Sequence, residues 1–167
     1  MSLPANATLV GYDDRALFEA AATPFTIEDF SSYASDIAFH TTAVNVGDFV
    51  ISMTGAPSTS GYNMIDVVAN SSESDVNGTV NMRVFTDNSP AGTLVFTFGD
   101  AITSFGADFK SFNDSPARTQ VYVDGTLIVP ATGASSGLNS FFAFISDVAF
   151  TTLTFVCLSN DSFPLAN

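Results

Sequence analysis

The sequence predicts an all-β protein: an antiparallel two-sheet, jelly-roll-like sandwich with one short N-terminal helix. Short runs of alternating apolar residues recur at intervals of roughly 8–12 residues, which is typical of sandwiches and barrels. Asp124-Gly125 lies between two such runs and is a strong signal for a hairpin turn. At 167 residues, 46% of them hydrophobic, the chain has the length of one domain with a sizeable core. We therefore predict a single domain over residues 1–167, with 1–10 as an extension or residues added for expression.

The helix is predicted close to the N-terminus. Asp13 can cap it, Asp14 falls in its first turn, and Thr23-Pro24 ends it. Its buried face is expected to carry Leu17, Phe18, Ala21 and Ala22.

The rest of the chain is predicted to form β-strands. Short β-branched or aromatic runs lie at 26–30, 37–40, 49–53 and 64–68. Beyond residue 79 the period of two is clear, and it predicts strands at 80–84, 94–98, 105–110, 121–123, 126–129, 142–144 and 153–157. The 17 phenylalanines are expected to fill the core from alternate strand positions. Cys157 shares the alternating face of Leu153 and Phe155 and is predicted to be a buried, inert thiol.

The charge balance excludes several functions. Four basic residues against 17 acidic ones give a net charge of −13, which repels phosphate backbones and anionic lipid surfaces. We therefore expect no nucleic-acid partner. A run of about 18 apolar residues does not occur, so we expect no membrane insertion by this chain. One His and one Cys rule out a zinc site built only from these residues and any intrachain disulfide.

The start of the chain and its composition give different indications of the cellular compartment. The start of the chain lacks the basic and apolar regions of a signal peptide, which taken alone indicates the cytosol. An aspartate-rich, lysine-poor surface instead favours an exported protein or a salty environment, because it stays charged at high ionic strength. A merely acidic protein remains the alternative.

Four segments of the chain carry a family pattern when taken together. They are the helix and acidic strand at 15–22 and 26–30, then 102–109, 121–125, and 141–155 continuing to 161–167. In order and spacing they resemble the extracellular domain of bacterial proteins with a PEP-CTERM sorting tail, although the tail itself is not in this sequence. The resemblance implies a secreted or cell-surface jelly-roll-like sandwich associated with envelopes and exopolysaccharide.

Calcium is the predicted cation, because it takes six to eight oxygen ligands and the chain is rich in oxygen donors. In a jelly roll the first and last strands commonly lie side by side. That arrangement would bring Glu28 and Asp29 close to Asp161 and Asn167, and we predict a structural calcium site there. In the alternative interpretation, Asp29 and Asp161 are turn residues with solvated carboxylates.

Carbohydrate binding is the predicted interaction. Sugars are commonly bound by an exposed aromatic ring together with amide and carboxylate groups. Candidate residues are Tyr62 and Asn63 in a long polar loop, Tyr33, and Tyr122 on the outward side of its strand. An exposed tyrosine that only covers a sheet face is the alternative.

No catalytic residues are predicted. The sequence has no phosphate loop, nucleophile elbow or metalloprotease motif, and His40 beside Phe39 is interpreted as structural. The predicted function is an exported, non-enzymatic carbohydrate- or matrix-binding module, or an envelope structural module. The alternative is a polysaccharide-active hydrolase or lyase that uses a pair of carboxylates.

Overall fold

A computed structural model of the protein describes residues 7–54, 63–67, 76, 80–86, 92–112, 119–128, 138–158 and 161–166. These residues form one helix and mostly antiparallel β-strands. The elements in chain order are β1 (Leu9–Tyr12), α1 (Arg15–Ala22), β2 (Ile37–Ala38), β3 (Val44–Asn45), β4 (Phe49–Thr54), β5 (Met64–Asp66), β6 (Asn81–Thr86), β7 (Thr93–Lys110), β8 (Thr119–Val123), β9 (Thr126–Ile128), β10 (Asn139–Cys157) and β11 (Asp161–Ala166).

Two long strands, β7 and β10, form the centre of the sheet. They pair antiparallel from Asn139 opposite Lys110 to Val156 opposite Thr93, with register shifts around Phe150. The sequence predicted two strands in each of these stretches, and that prediction was wrong. Gly99-Asp100-Ala101 and Ser146-Asp147 have low β-propensity and resemble breaks between strands. The two backbones nevertheless pair with each other on both sides of these residues.

The two ends of the β7–β10 pair have different neighbouring strands. Residues 93–98 and 152–157 join β3, β4, β8 and β9 in what we call the β4 half. Residues 105–110 and 139–145 join β1, β2, β5, β6 and β11 in the β11 half. Hydrogen bonds link the strands of both halves into one sheet.

The inner faces of the two halves pack against each other, which makes the architecture sandwich-like. The ring of Phe109 in the β11 half lies 5.9 Å from the ring of Phe155 in the β4 half, centroid to centroid. Phe96 and Phe105 make the same kind of contact, also at 5.9 Å. The predicted role of alternate phenylalanines is confirmed at a set of buried rings, namely Phe96, Phe109, Phe142, Phe144, Phe150 and Phe155. Phe25 departs from it, since it is 40% exposed.

The predicted N-terminal helix is confirmed, but Asp14 caps it and Asp13 does not. The Asp14 carboxylate accepts a hydrogen bond of 3.0 Å from the Leu17 amide. Phe18 is the buried residue of the helix, whereas Leu17 is 65% exposed. Phe18 packs on Gly106 so closely that a Cβ atom at Gly106 would lie 2.8 Å from the Phe18 ring. The helix therefore covers the outer face of the β11 half.

The predicted first strand at 26–30 is not a strand. The Phe30 amide donates to Glu28 (2.7 Å) and the Ser31 amide donates to Asp29 (2.9 Å), and Phe30 has a φ of 55°. These local bonds satisfy the backbone without a partner strand and bend the chain into a turn. The first strand is β1, in which Leu9 pairs with Ser146, so Leu9 and Val10 belong to the sheet and are not part of an extension.

The hairpin turn at Asp124-Gly125 is confirmed. Asp124 and Gly125 have φ values of 43° and 81°, as a two-residue turn with two positive φ angles requires. The turn also contacts β10, since the Asp124 amide donates to the Thr152 carbonyl at 2.9 Å. β8 is thereby placed beside the second part of β10.

Candidate functional site

The predicted calcium ligands lie only in part within the described residues. Glu28 and Asp29 each accept a backbone hydrogen bond within their own turn. Glu28 also lines a cleft with Ala166, at one end of β11, whereas Asp161 begins β11 at the other end opposite Thr86. A six-residue strand spans about 17 Å between those ends. The side chain of Asp161 and all of Asn167 lie outside the described residues, and within the described residues no three His, Cys, Asp or Glu side chains form a group that could hold a metal.

The pKa of Asp29 is lowered by hydrogen bonds within its own turn. Hydrogen bonds from the Ser31 side chain and then from its backbone amide hold the pKa of Asp29 below its ordinary value. Because these bonds favour the ionised form, Asp29 acts as an acceptor that stabilises its own turn. Calcium binding by this carboxylate remains a prediction.

The described members of the predicted sugar-binding set differ in their exposure. Tyr62 lies outside the described residues, and Asn63 is fully buried with its carbonyl accepting from the Phe39 amide at 3.0 Å. Tyr33 is partly buried, and burial followed by the charge of Glu28 raises its pKa. Tyr122 is partly exposed between the buried residues Val121 and Val123, as its strand parity predicted. Tyr122 is therefore the predicted residue whose ring is accessible from a sheet face.

The neighbours of Tyr122 form a distinct surface, which we call the hydroxyl face. It is the outer side of the β4 half, opposite the buried Ile51, Phe96 and Phe155. The register places on it Ser52, Thr93, Thr97, Thr152, Thr154, Gln120 and Tyr122, interspersed with Val50, Val95 and Val156. None of these side chains is charged, although the protein carries 17 acidic residues.

Cross-strand pairing gives the hydroxyl face a regular geometry. One row runs from Ser52 through Val95 and Thr154 to Tyr122, with each residue directly opposite the next. With strands about 4.8 Å apart and residues about 3.3 Å apart along a strand, the face measures roughly 14 by 13 Å. The Tyr122 hydroxyl donates to the Gln120 side-chain oxygen at 2.7 Å, which orients both groups on this surface.

A second surface feature is a cleft of about 760 Å³ beside the middle of β7, which we call the β7 cleft. The continuous segment 98–107 of β7 lines it, and so does the segment 24–28. Phe25 and Ile27 in the second segment are 40% and 60% exposed. The volume lies within the range of about 300–1,000 Å³ that is usual for ligand sites.

The charges around the β7 cleft are predominantly negative. Glu19, Glu28, Asp48 and Asp100 line it, and Arg15 is the basic residue among the described lining residues. Arg15 is already engaged, because its guanidinium lies 3.3 Å from Glu19 and 2.9 Å from Asp108. It also lies over the Phe141 ring, 4.9 Å from the centroid. The lining of the cleft therefore combines apolar side chains with acidic ones.

Sequence reasoning identified Tyr122 but neither surface. The alternation of Thr93, Val95 and Thr97 was a visible signal for one row of the hydroxyl face. The remaining rows come from β4, β8 and β10, which are distant in sequence, so pairing alone brings them together.

Comparisons with known proteins provide no assignment: no protein-family model, curated protein or solved structure matches the chain. Within the described residues, the structure has no helix long and apolar enough to cross a bilayer.

Proposed function

We propose that the protein is an exported, non-enzymatic module that binds carbohydrate or matrix material through the hydroxyl face. The observation that carries the proposal is the uncharged, partly exposed set of Ser, Thr, Gln and Tyr side chains around Tyr122. Such a surface is unusual on a protein with a net charge of −13. It is chemically matched to a ligand that is itself uncharged and rich in hydroxyls.

The chemistry of the face supports a polysaccharide ligand. Each Ser or Thr hydroxyl is both a donor and an acceptor, so a row of them can exchange hydrogen bonds with sugar hydroxyls. The Tyr122 ring offers an apolar surface on which a pyranose ring can lie, while its hydroxyl is held by Gln120. The negative field around the face would repel polyanions, so the favoured class is a neutral polysaccharide.

Export and the finer architecture belong to the same proposal. The resemblance to extracellular domains of PEP-CTERM proteins supports a secreted or cell-surface location and a jelly-roll order of strands. A structural calcium ion held by some of Glu28, Asp29, Asp161 and Asn167 is a further part of it. Each of these has its own test, independent of the hydroxyl face.

The test is an array of neutral and charged glycans probed with the wild-type protein and Tyr122→Ala. We expect binding to neutral glycans, with the variant weakened by roughly tenfold or more through loss of the aromatic contact. Thr154→Val should weaken binding, while Thr103→Val, an exposed strand threonine outside the face, serves as the matched control.

Three results would contradict the proposal. The first is the absence of binding to any neutral glycan at high protein concentration. The second is binding that Tyr122→Ala leaves unchanged, which would exclude the hydroxyl face. The third is release of reducing sugar from a bound glycan, which would establish the hydrolase alternative.

A further inference from the structure

The inner wall of the β7 cleft is the edge of a strand. Ten consecutive residues, 98–107, line it, so side chains from both faces of β7 border the same space. A sheet face would contribute only every second residue. Residues 98–106 are all exposed or partly exposed, whichever face of the strand they belong to. The backbone of β7 therefore borders the cleft.

Among the described strands, this edge has no partner along part of its length on the cleft side. On its other side β7 pairs with β10, for example through Ser104 and Ile145. On the cleft side, β4 pairs with β7 as far as Phe98 and β11 begins its pairing at Asp108. The Gly99 amide donates to the Asp48 carbonyl at 2.9 Å. Among the strands that the structure describes, none pairs with residues 100–107 on this side.

An interrupted edge of this kind is a template for strand addition. The open stretch of eight residues spans about 26 Å. β4 and β11 both run antiparallel to β7, so an added antiparallel segment would lie in line between Phe49 and Ala166. Its main chain would complete the hydrogen bonding of β7, and its alternate side chains would point to opposite sides of the cleft.

The side chains that line the cleft specify the chemistry of that segment. Phe49, Phe98 and Phe105 line it and pack against the core, so they favour apolar side chains. Asp48 and Asp100 are exposed, and with Glu19 and Glu28 they favour Lys or Arg. A second copy of this chain is disfavoured because each copy carries a net charge of −13.

We propose that the β7 cleft binds an extended, basic peptide segment by β-strand addition to residues 100–107. This function is independent of the hydroxyl face. Main-chain hydrogen bonds supply the affinity, and alternating apolar and basic side chains supply the specificity.

The probe is a fluorescein-labelled, acetylated and amidated peptide of alternating Lys and Val, seven residues long, measured by fluorescence anisotropy. Two control peptides carry backbone N-methyl groups on alternate residues, one in each register, and keep the same charge. A third control has Glu in place of Lys. We expect the parent peptide to bind at least tenfold more tightly than either the Glu peptide or the N-methylated peptide whose methyl groups face β7.

The location is tested by hydrogen-exchange mass spectrometry with and without the parent peptide. Slower exchange is expected for residues 99–107 and unchanged exchange for 119–123. Asp100→Asn should weaken binding roughly threefold at low salt through loss of a charge that lines the cleft, whereas Asp13→Asn, an exposed aspartate that does not line it, should have a smaller effect. Tyr122→Ala should leave peptide binding unchanged, which separates this proposal from the carbohydrate one.

The proposal is overturned if both N-methylated peptides bind as tightly as the parent, because attraction is then only electrostatic. It is also overturned if protection falls outside residues 99–107, or if no binding is detected at low salt. If 99–107 become protected as the protein concentration rises without peptide, the occupant is a second copy and the peptide assignment is wrong.

Discussion

The carboxylate of Asp124 lies 2.8 Å from the Thr152 amide, and the amide of Asp124 lies 2.9 Å from the Thr152 carbonyl. The same carboxylate oxygen accepts from the Thr151 amide at 3.1 Å. One side chain thus joins the tip of the β8–β9 hairpin to the centre of β10. This contact holds the strand that carries Tyr122 beside Thr154.

Asp124→Ala should be clearly destabilising. It leaves the two threonine amides without their acceptor and places a non-glycine residue with no compensating side chain at a φ of 43°. We expect the free energy of unfolding to fall by about 2–4 kcal/mol in urea titrations. Asp124→Asn keeps an acceptor oxygen and tolerates positive φ, so its loss should be below about 1.5 kcal/mol. Equal losses in the two variants would contradict this account.

Gly106→Ala should loosen the helix from the sheet. The added Cβ would lie 2.8 Å from the Phe18 ring and 2.9 Å from the Ala143 Cβ. We expect a loss of about 1–3 kcal/mol in stability from overpacking. Gly11→Ala is the matched control, since the nearest atom there is 4.0 Å away and the stability should hardly change.

A second substitution tests whether the contact with the Phe18 ring causes the loss of stability in Gly106→Ala. In a Phe18→Leu background the smaller side chain leaves room, so Gly106→Ala should cost less than it does in the wild-type protein. A double-mutant cycle measures this coupling. Additive losses would show that the Phe18 contact does not set the cost.

Lowering the pH should remove the stabilisation that the ionised Asp29 side chain gives to the folded protein. The pKa of Asp29 is lowered in the folded protein by the Ser31 hydrogen bonds, so its stabilisation is present above the pKa of the unfolded chain and is lost as the pH falls through the folded pKa. Asp29→Asn should therefore make unfolding less dependent on pH below about pH 4. Urea titrations between pH 5 and pH 2 test this, with Asp13→Asn as an exposed control. An unchanged pH dependence in Asp29→Asn would contradict the prediction.

Calcium is tested by thermal melting in millimolar calcium and in excess chelator at matched ionic strength. If calcium binds only the folded protein, a calcium concentration of about 100 times the Kd adds about 2.7 kcal/mol to the free energy of unfolding. This raises the Tm by several degrees. Glu28→Gln should abolish the calcium-dependent shift, while Glu19→Gln should retain it. Superimposable melting curves for the wild-type protein would exclude the ion.

Local sequence patterns were sufficient for several elements of this protein. Asp124-Gly125 specifies its turn because Asp and Gly tolerate the positive φ that both positions adopt. Phe109 and Phe155 point to the core because strand side chains alternate with a period of two. The exposure of Tyr122 follows from the same parity. These features depend on neighbouring residues only.

Tertiary structure decided the rest, because strand pairing joins residues that are far apart in sequence. Periodicity did not show that residues 93–110 form one strand shared by β4 and β11, since this depends on two neighbours that end at different points. The segment 26–30 has strand-like residues, but the Phe30 and Ser31 amides donate hydrogen bonds to the Glu28 and Asp29 carboxylates, and the chain turns there. Ser52 and Tyr122 share a face only through the register of β4, β7, β10 and β8, so the hydroxyl face and the open edge of β7 exist only in the assembled sheet.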